Sequence, residues 1–392
     1  MKSYEQQLLG AWENFCDDLK AMGREMLRPE APGNPVERAQ AFRLLSRNIA
    51  LGLSFELENK DPLFPELSHY FDPLRKQGGD NSDALYVGAQ INGIDTYRVS
   101  GHRGSASFFA VTVVEKGDTP WGGAVAGALF ADDMALDENG CFELYLGPEP
   151  HDGNWIKTTP DTFRVTFRQF FSDWENEEPM RARIDCLTRE AAAPRITPEK
   201  IVDGLARSST WVRDSILYWA TMIEKWKACP NTFLSYRQLD DNAIDATPGG
   251  EPLICYWQLP TEDALIIRVT PPPADYWAVE FGNYWWETMD YRYHLSNTNQ
   301  HFAHLLESGE LVLVVSHADP GIANWLDPAG HSEGYITVRW IGSETYPKPS
   351  VTQLPAVDLP AHLPAGVQRL TVEQRAGQIA ARRRGVSKRF PY

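Results

Sequence analysis

The sequence predicts a mainly β protein with α: two related jelly-roll-like β-sandwich modules, packed with N-terminal helices and separated by one long helix. Three observations carry this. Apolar residues alternate with polar ones along most of the chain after residue 80, two stretches of that region match each other in order, and a helical apolar stripe lies between them. The expected organisation is a helical region over 1–70, a β module over 80–190 and an amphipathic helix over 195–230. A second β module follows over 250–345, then a Pro-rich and finally basic helical tail over 349–392.

In "NPVERAQAFRLLSRNIALGLSFEL", Asn34 suits an N-cap, Pro35 the first helical position and Glu37 the closing residue of a capping box. Phe42, Leu45, Ile49 and Leu53 then recur at helical spacing and define one docking face. From residue 83 the period becomes two. "ALYVGAQINGIDTYRVSG" reads as a hairpin turning at Asn92-Gly93, a dipeptide that tolerates the positive φ angles of a tight turn. Asn139-Gly140 marks another turn before "CFELYLG", and "FRVTFRQFF" continues the strand pattern. Thr197 and Pro198 open the long helix, whose Ile201, Leu205, Val212, Ile216, Trp219, Ile223 and Trp226 form one stripe. Such a stripe is core packing.

The internal match pairs "DALYVGAQINGIDTYRV" at Asp83 with "DALIIRVTPPPADYWAV" at Asp263, and "GCFELYLGPEPHDGNWIKTTPDTFRVTFR" with "GELVLVVSHADPGIANWLDPAGHSEGYITVR". Both copies contain an Asn-Trp pair between strands. Shared features are architecture, so what one copy holds alone is the better guide to function.

Residues 282–297, "GNYWWETMDYRYHLSN", have no counterpart in the first copy and mix indoles and phenols with charges. Carboxylates walled by aromatic rings lose hydration, which raises their pKa into the range useful for proton transfer. The candidate catalytic residues are therefore Glu287 and Asp290, together with His317 and Asp319 of the loop "SHADPGIANWLDPAGH", where an aspartate beside a histidine would orient its imidazole. Tyr284, Trp285 and Trp286 would hold a carbon skeleton, Arg292 and Asn324 would polarise an oxygen, and His331 completes the substrate-binding set. Plainer readings stand beside these: Arg292 pairs with a carboxylate in a structural network, and the Asn-Trp pair locks a loop. His294, His301, His304, His317 and His331 cluster in sequence but lack a metal-ligand motif, so neither a metal nor an organic cofactor is expected.

Composition narrows the partners. A formal charge of -16 repels nucleic acid and anionic membranes, no stretch approaches the roughly 18 apolar residues of a membrane helix, and the five cysteines show no CxxC spacing. A cytoplasmic protein acting on a small molecule is expected. Arg382, Arg383, Arg384, Lys388 and Arg389 in the tail are expected to dock on the protein's own acidic surface rather than on an anionic partner.

"NWIKTTPDTFRVTFRQFFSDWENEEP", "GNYWWETMDYR" and "HADPGIANWLDPAGHSEGYITVRW" resemble bacterial proteins of the domain of unknown function 1214 family, in its long form with a helical N-terminus and a basic tail. The resemblance implies a β-sandwich architecture and, through some relatives, a link to breakdown of steroids or aromatics. It brings no catalytic motif. The expected function is a cofactor-independent enzyme using acid/base chemistry, of lyase, hydratase, isomerase or hydrolase type, on a hydrophobic or aromatic small molecule in bacterial catabolism. The alternative is a non-catalytic module binding a hydrophobic or sugar-like ligand. A third reading makes the aromatic stretch a homo-oligomer interface.

Overall fold

The computed structural model describes residues 3–188, 194–235 and 250–391. The chain divides into two units: Met1–Arg75, Leu85–Phe170 and Glu178–Trp219 form the first, while Lys76–Ala84, Phe171–Glu177 and Ala220–Tyr392 form the second.

In the first unit, helices α1 (Tyr4–Glu25) and α2 (Pro35–Leu53) precede the β-structure. Asn34 caps α2 by accepting from the Glu37 amide, with Pro35 in the first turn. The buried face of α2 is Leu44, Leu45, Asn48, Leu51 and Gly52, whereas Phe42 is 44% exposed, so the expected stripe is rotated. The reason is Gly52, which lies against Val212 and the Ser208 carbonyl of helix α3 (Pro198–Trp226). Close helix approach selects this small residue, and the face around it becomes the docking face. A short π-helical turn, Ser54–Glu58, follows α2 and sets Phe55 edge-on to Tyr70, Trp121 and Trp211. Trp219 closes this unit's share of α3.

The strands of the first unit are β1 (Ser68–His69), β2 (Ala84–Gln90), β3 (Tyr97–His102), β4 (Phe108–Glu115), β5 (Val125–Phe130), β6 (Cys141–Gly147), β7 (Asn154–Lys157), β8 (Thr162–Phe170) and β9 (Arg181–Cys186). They form two sheets, ordered β1-β2-β8-β4-β5 and β7-β6-β3-β9. The second unit repeats this with β10 (Phe233–Ser235), β11 (Leu253–Gln258), β12 (Asp263–Val269), β13 (Tyr276–Asn283), β14 (Asn297–Asn299), β15 (Leu311–Ser316), β16 (Trp325–Leu326), β17 (Glu333–Ile341) and β18 (Ser350–Pro355). Its sheets are ordered β10-β11-β17-β13-β14 and β16-β15-β12-β18. Adding nine to each label converts one pair of sheets into the other. The protein is therefore two copies of one sandwich topology.

This equivalence corrects two expectations. Asn92-Gly93 is not a hairpin turn, because β2 and β3 belong to different sheets. Neither residue adopts positive φ. Gly93 is needed instead for space: a Cβ there would sit 1.7 Å from the Thr159 carbonyl oxygen, where the chain crosses between sheets. The repeat register also shifts. Asp83 immediately precedes β2 and Asp263 starts β12, which are not equivalent strands, while the second quoted match, β6-β7-β8 on β15-β16-β17, coincides with the topology. Alternating strands match one another in any register that preserves their faces.

The core of the second sandwich fills the space between its sheets with residues such as Trp257, Ile267, Phe281, Leu313 and Trp340. Helix α4 (Val372–Arg389) also belongs to the second unit, capped by Thr371 and Gln374 in a reciprocal capping box. It docks through Arg375, Arg382 and Arg389, seven residues apart and all buried. Arg375 forms a fork with Asp319 at 2.9 and 3.1 Å, Arg382 donates to Asn297, and Arg384 pairs with Glu175 at 2.9 Å.

Candidate functional site

The segment after β13 is a tight turn built by Asn283. Its side-chain oxygen accepts from the Trp285 amide at 2.9 Å, and its backbone amide donates to the Glu287 carbonyl at 2.9 Å. Trp286 takes a φ of +59°, rare for a residue with a Cβ, and its carbonyl accepts from the Gly79 amide at 2.8 Å. The three large rings are therefore pinned inward. Tyr284 donates to Glu224 at 2.5 Å and meets Trp285 edge-on, while Trp286 lies between Trp226 and Tyr335 with centroids 4.2 and 4.0 Å away. Tyr284, Trp285 and Trp286 are at most 4% exposed. They pack against neighbouring rings and an α3 carboxylate.

Beside this turn run residues 76–84 of the same unit. Lys76 is fully buried and donates to the Thr288 hydroxyl at 2.7 Å and the Met289 carbonyl at 2.6 Å, 4.1 Å from the centroid of Tyr291. Asp80 accepts from the amide and hydroxyl of Thr288 at 3.0 and 2.7 Å. Burial pushes its pKa up against the opposing pull of Lys76. Glu280, on β13, accepts from the hydroxyl and amide of Ser82, both at 2.7 Å. Burial, reinforced by Asp83, raises its pKa to about 8. Asp83 accepts from Trp174 Nε1, Asn297 and Asn299 on one oxygen and from Tyr276 at 2.6 Å on the other. Glu287 is fully buried and close enough to Asp80 to help raise it. Three of these carboxyl groups act on the Tyr335 hydroxyl: burial pushes its pKa up, and Asp80, Glu280 and Glu287 push further in the same direction.

Of the residues expected from sequence, Glu287 joins this cluster. Asp290 instead holds Arg292 in a two-pronged ion pair at 2.8 and 2.7 Å, and although burial opposes it, this bond with help from Lys76 brings the carboxyl down to about 2. No hydrogen bond joins His317 to Asp319: His317 Nε2 lies 3.5 Å from the Leu259 carbonyl, and Asp319 is held by Arg375. The oriented imidazole is elsewhere, at His294, whose Nδ1 is 2.7 Å from Asp327 and whose pKa that bond raises. Asn324 spends its amide on structure, accepting from the His304 amide at 2.9 Å and donating to the His304 and Val312 carbonyls at 2.7 and 3.1 Å. Asn154 makes the same three bonds with Ala135 and Glu143 in the first module. The Asn-Trp loops are thus a repeated lock, and Asn324 has no N–H left for an oxyanion. His331 is buried in the turn after Pro328.

Sequence reasoning passed over Glu280, Asp80, Asp83, Lys76, Tyr335 and Arg339. Glu280 left a signal, being the lone charge in the apolar strand "YWAVEFGN". The module equivalence shows how unusual it is. In the first module Ala110 faces Arg168, Thr112 faces Thr166 and Val114 faces Arg164 across β4 and β8. In the second, Ala278 faces Arg339, Glu280 faces Thr337 and Gly282 faces Tyr335 across β13 and β17. The alanine, threonine and outer arginine are kept. A threonine has become Glu280 and an arginine has become Tyr335, and those two carry the cluster.

Among the described residues no three His, Cys, Asp or Glu side chains gather as metal ligands, and no helix is long and apolar enough to cross a membrane. Comparison with known proteins finds no match among curated proteins. An uncharacterised protein from Burkholderia cenocepacia has a similar crystal structure, 31% identical, with 90% of this chain and 99% of that one covered and a TM-score of 0.85. The VPA0106 protein of Vibrio parahaemolyticus is 12% identical over 79% of this chain and 99% of its own, with a TM-score of 0.46, too remote to bear on the fold. A family model described as protein of unknown function (DUF1214) matches residues 83–173, most of the first sandwich. With that match and a solved relative spanning both modules, the chain belongs to the DUF1214 family.

Proposed function

We propose that the second module is the catalytic one, transferring protons on a small organic molecule without a cofactor. One observation carries this reading: Asp80, Glu280 and Glu287 all act on the Tyr335 hydroxyl and Asp83 acts on Glu280, with none of the four carboxyl residues more than 3% exposed. Burying a carboxylate costs several kcal/mol unless fully compensated, and apolar side chains of similar size would stabilise a sandwich better. Groups held at that cost, with pKa values pushed up by burial as those of Glu280 and Asp80 are, are the pattern of acid/base sites. Glu280, near 8, keeps its proton at neutral pH and can donate it, and Glu287 or Asp80 can accept one. The tilted rings of Trp226, Trp286 and Tyr335 beside them keep the surroundings of low dielectric and suit a hydrophobic or aromatic substrate. Hydration, elimination, isomerisation and hydrolysis all fit this apparatus. Breakdown of hydrophobic compounds in the bacterial cytoplasm is the setting that agrees with it.

The test is turnover on a panel of steroids, aromatic compounds and glycosides, with Glu280→Gln and Glu287→Gln beside the parent chain. Loss of about 100-fold or more in kcat with ligand affinity retained supports proton transfer. Unchanged kcat in both variants refutes it. A non-catalytic binding role is favoured by a different feature, an open cleft of about 490 Å³ in the first module lined by Gln90, Asn92, Lys116 and Phe163 among others. A glycoside that shifts the melting temperature and is never turned over would select that reading.

A further inference from the structure

Resting on the proton-transfer reading, we propose that the site of the second module takes an organic acid, whose carboxylate is received by Tyr335, Thr337 and Arg339. These residues alternate along β17 and so share one face of the strand, the face that also carries Glu280 across the ladder. Each presents a buried donor. Tyr335 is 0% and Thr337 1% exposed, yet among the described residues no group pairs with either hydroxyl or with Arg339 Nε and Nη1, which are equally buried.

A buried donor left unsatisfied loses its hydration and gains nothing in return, so three neighbouring residues doing so is a large departure from ordinary protein interiors. Among the described residues the first module leaves the Thr166 hydroxyl and Arg164 Nε unpaired as well, yet it gives both of its arginines a bond that their counterparts lack. There Arg168, the counterpart of Arg339, donates to the Thr112 hydroxyl at 2.7 Å, and Arg164, the counterpart of Tyr335, donates to the Trp121 carbonyl at 2.5 Å. In the second module Glu280 stands where Thr112 would be, but its two oxygens are turned to Ser82. The donors of β17 therefore point to a group that only accepts, and a carboxylate accepts on two oxygens in the geometry a guanidinium fork prefers.

The charges around the site agree. Lys76, Arg382 and Arg389 are buried beside Asp80, Asp83 and Glu280, and Arg339 acts on both Glu280 and Tyr335. The Arg389 guanidinium lies against the rings of Phe171, Trp174 and Phe390, 4.7 to 5.4 Å from their centroids. Cations held in such a setting favour an anionic group at the β17 donors. The aromatic neighbours Trp286 and Trp226 favour an apolar body on that acid.

The experiment is calorimetric titration and thermal shift of the full chain with benzoate, cyclohexanecarboxylate and 2-naphthoate, and with benzamide and benzyl alcohol as neutral counterparts. At least one carboxylate is expected to bind tenfold or more tightly than its neutral counterpart, and Arg339→Met is expected to erase that preference. Tyr335→Phe is expected to weaken carboxylate binding while leaving the unliganded protein as stable as the parent or more so, since the hydroxyl has no protein bond to lose. Equal binding of acids and amides, no binding by any of the three acids, or undiminished carboxylate preference in both variants would overturn the proposal. Glu280→Gln separates it from the reading beneath it: that variant should still bind the acid, so lost turnover with retained binding supports both. Retained turnover in Glu280→Gln, with binding lost in Arg339→Met, leaves the anion site standing and removes proton transfer by Glu280.

Discussion

Glu280 stands directly across the β13–β17 ladder from Thr337, at the place Thr112 holds opposite Thr166 in the first module. Its carboxyl is protonated in the folded protein up to about pH 8, but ionises near its ordinary value of 4.5 once the chain unfolds. A pKa raised on folding contributes stability that is fully present below the unfolded value and lost as pH rises through the folded one. Stability should therefore fall between about pH 5 and pH 8 with a slope approaching about 1.4 kcal/mol per pH unit from this group. In Glu280→Gln that part of the slope should vanish, as denaturation midpoints measured across the range would show. An unaltered slope would mean that Glu280 titrates normally.

Asp290 behaves in the opposite sense. Its pairing with Arg292 holds the carboxyl at about 2, below the ordinary 3.8, so the stability it contributes is present above 3.8 and is lost as pH falls toward 2. Asp290→Asn should be less stable than the parent at pH 6, and most of that gap should close as pH falls through 2. A gap of undiminished size at pH 2 would show that the charge is not the source of the effect.

For His294 the readout is local. The bond to Asp327 raises its pKa, so the protonated pair stabilises the fold below the ordinary 6.5, and the gain disappears as pH rises through the raised value. Titration of the imidazole by NMR should give a value above 6.5 that drops in Asp327→Asn. The pair lies outside the carboxylate cluster, and turnover should change less in this variant than in Glu280→Gln.

How far these groups could be found from sequence depends on what kind of contact made them. Strands and helices followed from periodicity because each buries one face against its own module, and caps such as Asn34 and Thr197 followed from local hydrogen bonding. The Asn-Trp lock was visible because it is repeated. Glu287 was found because its neighbours in sequence are also its neighbours in space. Asp80, Asp83 and Lys76 were not, because their partners Thr288, Tyr276 and Met289 lie about two hundred residues further along the chain. No periodicity encodes such a meeting. His317 and Asp319 failed as a pair for the same reason in reverse, since closeness in sequence placed them together while Arg375 of α4 drew the aspartate away.

Gly79 makes the last of these long-range meetings testable. Its φ is +66°, its amide bonds the Trp286 carbonyl at 2.8 Å, and a Cβ there would lie 2.8 Å from the Trp286 indole. An alanine would meet both a strained backbone and a ring that has nowhere to go, packed as it is between Trp226 and Tyr335. Strain at such a position costs about 1–2 kcal/mol, and overpacking adds about 1–3 kcal/mol. Gly79→Ala should therefore lower the unfolding free energy by about 2 kcal/mol or more. Because the displaced indole packs on Tyr335, the same variant should also disturb proton transfer beside it. Gly153→Ala is the control for the backbone alone, having a φ of +80° and no atom within 4 Å of the added carbon. If the two variants lose the same stability, the indole contact contributes nothing; a larger loss in Gly79→Ala, accompanied by reduced turnover, would establish that the loop over 76–84 positions the aromatic rings.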